Sequence, residues 1–319
     1  GIAFLPDGRF LVTERAGRLT LFPPTGGAGL PVTGVPEVAA RGQGGLLDMM
    51  IPRDFATSRE VWLSYARADG GGAGTALGVA RLSGDGTALQ DFRVVFAAPG
   101  TPGGNHFGSR IVEARDGTIY LTTGERGDGP LAQDPMRPEG KVIHLNRDGS
   151  PATRSPGMLP GVLSMGHRNP QGAALDATGQ LWVVEHGAQG GDELNLVRSG
   201  ANYGWPVISY GKDYGGGRIG EGTQKAGMEQ PVMYWDPSIA PSGLMIYQGD
   251  MFPAWKGDVF TGSLKFDYVS RLDPDAGYAE ERISSDETGR VRDVVEGPDG
   301  AIWFLSVGEG AVFRMTPVE

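Results

Sequence analysis

The sequence predicts an all-β fold, a six-bladed β-propeller of four-stranded antiparallel blades. Three observations carry that expectation. A strand–turn–strand unit recurs six times along the chain. Gly (54) and Pro (23) are spread through all 319 residues, which punctuates many turns and argues against a disordered tail. No helix-period pattern runs longer than about two turns, so helices have little to contribute.

The repeated unit is an apolar strand, a turn rich in Asp, Gly or Pro, then a second strand carrying an aromatic. "GIAFLPDGRFLVTERAGRLTLF" (1–22) is the first copy and "LLDMMIPRDFATSREVWLSYAR" (46–67) the second. "GSRIVEARDGTIYLTTGE" (108–125) and "QGAALDATGQLWVVEHG" (171–187) are the third and fourth. "SGLMIYQGDMFPAWKGDVFTGSLK" (242–265) and "VRDVVEGPDGAIWFLSVGEG" (291–310) complete the set. The matching aromatics are Phe10, Trp62, Tyr120, Trp182, Phe260 and Trp303, on average roughly 60 residues apart, which leaves room for four strands per copy. Radially repeated sheets suit that spacing better than a sandwich pair or a β-helix. A single domain over 1–319 is expected, with "GGAGTALG" (71–78) as its most flexible insert.

The topology predicts where chemistry gathers. In a propeller blade the first strand lines the central channel and leaves one face; the second returns to it. Residues before first strands and after second strands therefore meet around the axis. Before first strands stand Gln43, His106, "HRNPQ" (167–171), Ser238 and Arg290. After second strands stand "GERGD" (124–128), "EHGAQGGDE" (185–193) and Lys265. Loops are polar in any protein, but five blades sending His, Arg, Asn, Gln and Lys to one face define a candidate site.

His106, in "GGNHFGSR" (103–110), is one of four histidines and a candidate general base, since imidazole titrates near neutrality. A histidine that merely caps a glycine turn is the competing reading. Arg168, Lys265, Arg290 and Arg292 bring cationic donors into a chain of net charge −10, and the planar arginine fork favours an anionic, flat ligand. Ion pairs with neighbouring carboxylates are the competing reading, most directly for Arg292 beside Asp293. "HGAQGGDELNLVRSGANYGWP" (186–206) combines flexible glycines with hard oxygen donors, Asp192, Glu193 and the Tyr203 hydroxyl, with Asp213 just beyond. That chemistry suits calcium, although EF-hand spacing is absent.

Composition excludes other classes. No run of about 18 apolar residues is present, so membrane insertion is not expected. No basic cluster invites nucleic acid. With no Cys, disulfides, thiolate metal sites and cysteine nucleophiles are excluded. "GGGRIG" (215–220) matches a dinucleotide-binding pattern but follows a loop, without the strand-to-helix context that pattern requires. The chain opens on Gly1 inside a strand pattern and reads as a processed or trimmed product.

Taken together, "GGNHFGSR", "GHRNPQG", "HGAQGGDELN", "NYGWP", "GSLK" and "GRVRDVV" resemble the glucose/sorbosone dehydrogenases, most closely the bacterial aldose sugar dehydrogenases. The resemblance covers nearly the whole chain. It implies a soluble, periplasmic or secreted quinoprotein that binds pyrroloquinoline quinone (PQQ) with calcium on the channel face. It implies oxidation of an aldose C1 hydroxyl to an aldonolactone, with His106 as base and Arg168 facing the reacting carbonyl. Arg168, Asn169, Gln171, Ser238, Lys265, Arg290 and Arg292 match cofactor contacts. Gln43, Asn105 and the loop around Trp235 match the sugar side. The backbone carbonyls of Gly187 and Ala188 match the ligands of the cofactor's calcium, and Glu193, Tyr203 and Asp213 those of a second, structural calcium.

Departures are visible too. Asn105 stands where the best-known glucose-oxidising member has Asp, so a less basic His106 is expected. His186 replaces a Gln, and the long loops that accompany dimerisation are short, so a monomer using an external electron acceptor is expected. Two other functions fit the fold: a calcium-dependent lactonase or hydrolase, and a non-catalytic binding module. The first requires carboxylate and Asn ligands on the axis where this chain has Arg and Lys. The second predicts loss of His106, Arg168 or the basic set.

Overall fold

A computed structural model describes residues 1–318. Six antiparallel sheets follow one another in chain order. Blade 1 holds β1 (Ile2–Phe4), β2 (Phe10–Glu14), β3 (Arg18–Phe22) and β4 (Leu30–Val32). Blade 2 holds β5 (Leu46–Met50), β6 (Glu60–Asp69), β7 (Gly72–Leu82) and β8 (Leu89–Ala97). Blade 3 holds β9 (Gly108–Glu113), β10 (Ile119–Thr123), β11 (Lys141–Leu145) and β12 (Val162–Met165). Blade 4 holds β13 (Pro170–Leu175), β14 (Leu181–Glu185), β15 (Asp192–Leu196) and β16 (Met233–Trp235). Blade 5 holds β17 (Pro241–Ile246), β18 (Val259–Ser263), β19 (Tyr268–Asp273) and β20 (Ala279–Ile283). Blade 6 holds β21 (Val291–Glu296), β22 (Ile302–Ser306) and β23 (Ala311–Met315). The first strands neighbour one another in the order β1, β5, β9, β13, β17, β21 and back to β1, which closes the ring. The six-bladed propeller is as expected, except that the sixth sheet has three strands among the described residues, not four.

The strand-to-strand turns have a common chemistry. Asp7, Asp116 and Asp299 each precede a glycine of positive φ and accept the N–H two residues on, at 3.1, 3.0 and 3.1 Å. These Asx turns bring the first strand back as a second in blades 1, 3 and 6. The repeated aromatics then pack between blades; Phe10, Trp62, Phe260, Trp182 and Trp303 are buried and Tyr120 half-buried.

One expectation fails. Residues 71–78 are not a flexible insert but lie almost wholly in β7, which pairs with β6 along its whole length. The glycines are there for close approach. A Cβ at Gly72 would strike the Thr101 carbonyl, and one at Gly74 the Ala98 carbonyl.

The entrances of the first strands are irregular. Register shifts interrupt the pairing of first and second strands in blades 2 to 6. Bulges re-aim side chains, and these lie where Asp48, Arg110, Gln171 and Arg292 project. His106, Ala240 and Arg290, just before first strands, have φ of 53°, 54° and 47°. Non-glycine residues held there indicate strain kept by the surrounding structure, as is common at functional sites.

Candidate active site

A cavity of about 1740 Å³ opens at the channel mouth and continues outward between blades 1 and 6. Gln43, Asn169, Gln171, Ala188, Ser238, Lys265, Arg290 and Arg292 all line it, together with His186. The predicted convergence is therefore present for these residues, while His106 and Arg168 stand beside lining residues Phe107 and Asn169 without lining the cavity themselves. Below these residues the channel is closed by Arg110, which pairs with Asp48 at 3.2 Å and Asp293 at 2.9 Å.

That plug settles how Arg292 is used. Asp293, its sequence neighbour, faces Arg110. Arg292 instead donates to Gln171 Oε1 at 3.2 Å and Ser242 Oγ at 3.3 Å. Burial, with Arg110 and Arg290 adding repulsion, lowers its pKa to about 10. Arg290 donates to the Leu264 carbonyl at 3.1 Å, and Lys265 lies 5.0 Å from the Phe266 ring. Arg168 donates to the His186 carbonyl at 3.3 Å, while its Nε has no partner. Among the described residues none of the four cations pairs with a carboxylate. Arg168 is buried and Arg292 half-buried, while Lys265 and Arg290 are exposed; like charges gathered without a counter-charge call for an anion.

His106 is no turn cap. Its Nδ1 lies 2.7 Å from Glu125 Oε1. Glu125 is 2% exposed and its main chain donates to the Arg168 carbonyl at 2.9 Å. A carboxylate only accepts, so in the neutral imidazole Nδ1 carries the proton and the Nε2 lone pair is left free. Gly124 leaves room for this arrangement, since a Cβ there would strike the His106 carbonyl. Gln43 Oε1 accepts the His106 N–H at 2.8 Å, so Gln43 fixes the loop. Asn169 Oδ1 accepts from Gly108 at 3.1 Å and Gln171 donates to the Gly108 carbonyl at 3.0 Å. Asn105 is exposed at the mouth and makes no hydrogen bond to the imidazole.

Glu125 is the functional residue that sequence reasoning missed. The segment "GERGD" was placed on this face, but nothing in its pattern singled out the glutamate as partner of an imidazole 19 residues away. A second imidazole–carboxylate pair was missed as well. His167 is fully buried, with Nδ1 2.8 Å from Glu185 Oε1 and Nε2 2.9 Å from Ser164 Oγ, and it stacks on Tyr203. Glu185 Oε2 accepts the Arg168 N–H at 2.7 Å. Arg168 is thus strung between the two pairs. His186 points Nε2 at the Pro241 carbonyl, 2.9 Å away. Burial above all, then Arg292, Arg168 and His106, lowers its pKa to about 3, so it is a neutral imidazole.

The calcium expectations divide. Gly187 donates to Asp192 Oδ1 at 2.7 Å, which turns the loop, and the Gly187 and Ala188 carbonyls accept none of the loop's backbone hydrogen bonds. Two adjacent free carbonyls fit a hard cation. Asp192 is wholly buried and also accepts from Ser238 Oγ, Ile239 and Ala240, so it binds two site loops together. The Ser238 hydroxyl therefore faces Asp192 and not the cavity. Glu193, Tyr203 and Asp213 do not gather. The Tyr203 hydroxyl donates to the Leu196 carbonyl at 2.5 Å and accepts from Arg198, and Asp213 is exposed in a turn. Glu193 has its pKa raised to about 8, chiefly by burial and then by Glu185. Among the described residues no three His, Asp or Glu side chains converge as metal ligands.

Trp235 is also misplaced by the sequence reading. It is 4% exposed, packs between blades 4 and 5, and donates its indole N–H to Glu280 at 3.0 Å. The family resemblance put its loop on the sugar side, but β16 turns the ring into the core.

Fold and site together define a propeller enzyme with an imidazole–carboxylate pair beside a cation-lined recess. The model of the Glucose / Sorbosone dehydrogenase family matches residues 1–314, and the chain belongs to that family. It is 42% identical to the aldose sugar dehydrogenase YliI of Escherichia coli, over 99% of this chain and 89% of that protein. The apo crystal structure of the soluble aldose sugar dehydrogenase from Escherichia coli superposes with a TM-score of 0.92, at 41% identity, over 98% of this chain and 94% of that one. The PQQ-bound aldose sugar dehydrogenase of Streptomyces coelicolor gives 0.82 at 29% identity, over 99% and 92%. No helix is long and apolar enough to cross a membrane among the described residues.

Proposed function

We propose that this chain is a quinoprotein that oxidises the C1 hydroxyl of aldose sugars to aldonolactones, using PQQ and a calcium ion at the channel mouth. The observation that carries the reading is the set of four cations without carboxylate partners, beside an imidazole whose Nε2 is free. PQQ is a flat tricarboxylate, and the unpartnered Arg168 Nε and the half-buried Arg292 are donors suited to it. Arg168, Lys265, Arg290 and Arg292 hold its charge. Asn169 and Gln171 shape its bed, and Ser238 supports it through Asp192. The Gly187 and Ala188 carbonyls hold calcium. When bound, the quinone supplies the two-electron acceptor and calcium the Lewis acid that polarises it.

The chain's own residues do the rest. His106 Nε2 takes the proton of the C1 hydroxyl. Glu125 keeps the imidazole in the tautomer that can do so and balances the imidazolium that forms. Asn105 and Gln43 stand on the sugar side, Asn105 with its amide free. A second protein or small oxidant removes the electrons, and a monomer in the periplasm or outside the cell is the proposed state.

Reconstitution of the apoprotein with PQQ and calcium tests the reading. Aldose-dependent dye reduction is expected, and a titration showing no cofactor binding with calcium present would overturn it. His106→Ala is expected to bind cofactor yet lose roughly 10²–10⁴-fold in turnover, the usual cost of removing a general base.

A further inference from the structure

Arg168 has a fixed main chain and a poorly fixed head. Its N–H and carbonyl are held by Glu185 and Glu125, at 2.7 and 2.9 Å. Its side chain has one hydrogen bond, 3.3 Å long, and an unpartnered Nε, although Arg168 is only 6% exposed. Glu185 and Glu125 touch its main chain, but among the described residues no carboxylate pairs with the guanidinium. One long hydrogen bond does little to fix the guanidinium in this position.

What holds it is the indole of Trp205. The guanidinium carbon lies 5.0 Å from the ring centroid, within the range where an aromatic face attracts a cation. The ring is itself well anchored. The Trp205 backbone N–H donates to the Gly166 carbonyl at 2.9 Å, and the Trp205 backbone carbonyl accepts from Gln133 Nε2 at 2.7 Å, so the main chain that carries the ring is fixed. Gln133 ends the short helix α2 (Pro130–Gln133; α1 is Phe55–Ser58) and exchanges amide hydrogen bonds with Asn202. Yet the indole Nε1 is buried without a partner. Buried indole N–H groups ordinarily find one. The ring's orientation thus serves its face.

We propose that Trp205 is a positioning residue for Arg168: it holds the guanidinium over its face in the empty site, so that Nε and the Nη groups already point where the anionic ligand binds. The ligand's identity rests on the function proposed above; the positioning does not.

The test uses Trp205→Leu and Trp205→Phe, alone and with Arg168→Met. In apoprotein, ¹⁵N relaxation of the Arg168 Nε signal, assigned by its loss in Arg168→Met, is expected to report an ordered side chain in wild type. It should become mobile in Trp205→Leu and intermediate in Trp205→Phe. With PQQ and excess calcium, Trp205→Leu is expected to weaken cofactor binding about 10-fold, the scale of a desolvated cation–π contact. Sugar KM should stay within about two-fold, since the indole touches no part of the sugar site. In the Arg168→Met background the Trp205 changes should cost almost nothing, because the ring's partner is gone. An equally ordered Arg168 in Trp205→Leu overturns the proposal, as does an equal loss in both backgrounds. If the leucine variant does not fold, the phenylalanine variant decides by the same two readouts. A wild type that binds no PQQ overturns the function and leaves the relaxation result to judge the positioning.

Discussion

Glu125→Gln isolates the role of the carboxylate from that of the imidazole. The change is isosteric, so the 2.7 Å contact to His106 Nδ1 keeps its length. What changes is the choice of partners. A carboxylate accepts a proton-bearing Nδ1 and leaves Nε2 as the base. An amide can offer its NH₂ instead, which favours the opposite tautomer and puts the proton on Nε2, where it blocks proton abstraction. It also leaves the developing imidazolium without its counter-charge in a buried setting. The comparable acid-to-amide change in a hydrolase triad costs about 10⁴ in turnover. The backbone link from residue 125 to the Arg168 carbonyl is unaffected, so the loop geometry is kept. A drop of about 10²–10⁴ is expected, or about 2.7–5.4 kcal/mol of barrier. The assay is steady-state dye-linked aldose oxidation on reconstituted protein, with cofactor affinity titrated separately. Turnover within about three-fold of wild type, at full cofactor occupancy, would refute the tautomer argument.

Three further outcomes follow from the geometry. Arg292→Gln should weaken PQQ binding by about 10–100-fold, the 1.5–3 kcal/mol scale of a charge-assisted contact, with little change in sugar KM; spectrophotometric titration measures it. His186 has a pKa near 3 in the fold against 6.5 when free, so the unfolded chain binds a proton that the folded chain does not. The stability it contributes is full above pH 6.5 and is lost as pH falls towards 3, at up to about 1.4 kcal/mol per unit. Urea unfolding of apoprotein at pH 5 and 7 should show a smaller pH difference for His186→Gln than for wild type. Trp235→Phe should lower stability by about 1–2 kcal/mol through the lost indole N–H bond and volume, while sugar KM stays within about two-fold; a large KM change would restore Trp235 to the sugar site.

The fold was legible because a propeller writes the same local physics six times. Each Asp–Gly turn and each second-strand aromatic is a local signal, and repetition multiplied it. The face was legible for the same reason, since strand direction alone decides which loops meet. Side-chain pairing was not. Whether Asp293 faces Arg292 or Arg110 depends on a bulge in β21 and on a residue more than 180 positions away. Glu125 and Glu185 look like any loop or strand-end carboxylates until the ring closes. Trp235 and Tyr203 were misread because a bulky or hydroxyl-bearing residue carries no mark of which side of its strand faces the core. The glycines of 71–78 suggest mobility in sequence, yet Gly72 and Gly74 let β7 lie against the Thr101 and Ala98 carbonyls.

The distribution of charge explains how an acidic protein builds a cationic recess. Apart from Asp236, which lines the cavity exposed to solvent, the carboxylates nearest the site are committed elsewhere. Glu125 and Glu185 face imidazoles, Asp192 accepts three backbone N–H groups and a hydroxyl, and Asp48 and Asp293 hold Arg110. These carboxylates are thereby engaged without neutralising Arg168, Lys265, Arg290 or Arg292. An ion-paired arginine would have to lose its partner before taking a ligand, and that loss would subtract from affinity. Here the desolvation and repulsion are borne by the folded chain in advance, as the depressed pKa values of Arg292 and His186 record. An anion entering the recess therefore relieves strain that already exists, and the closed ring of blades is what keeps the cations from dispersing before it arrives.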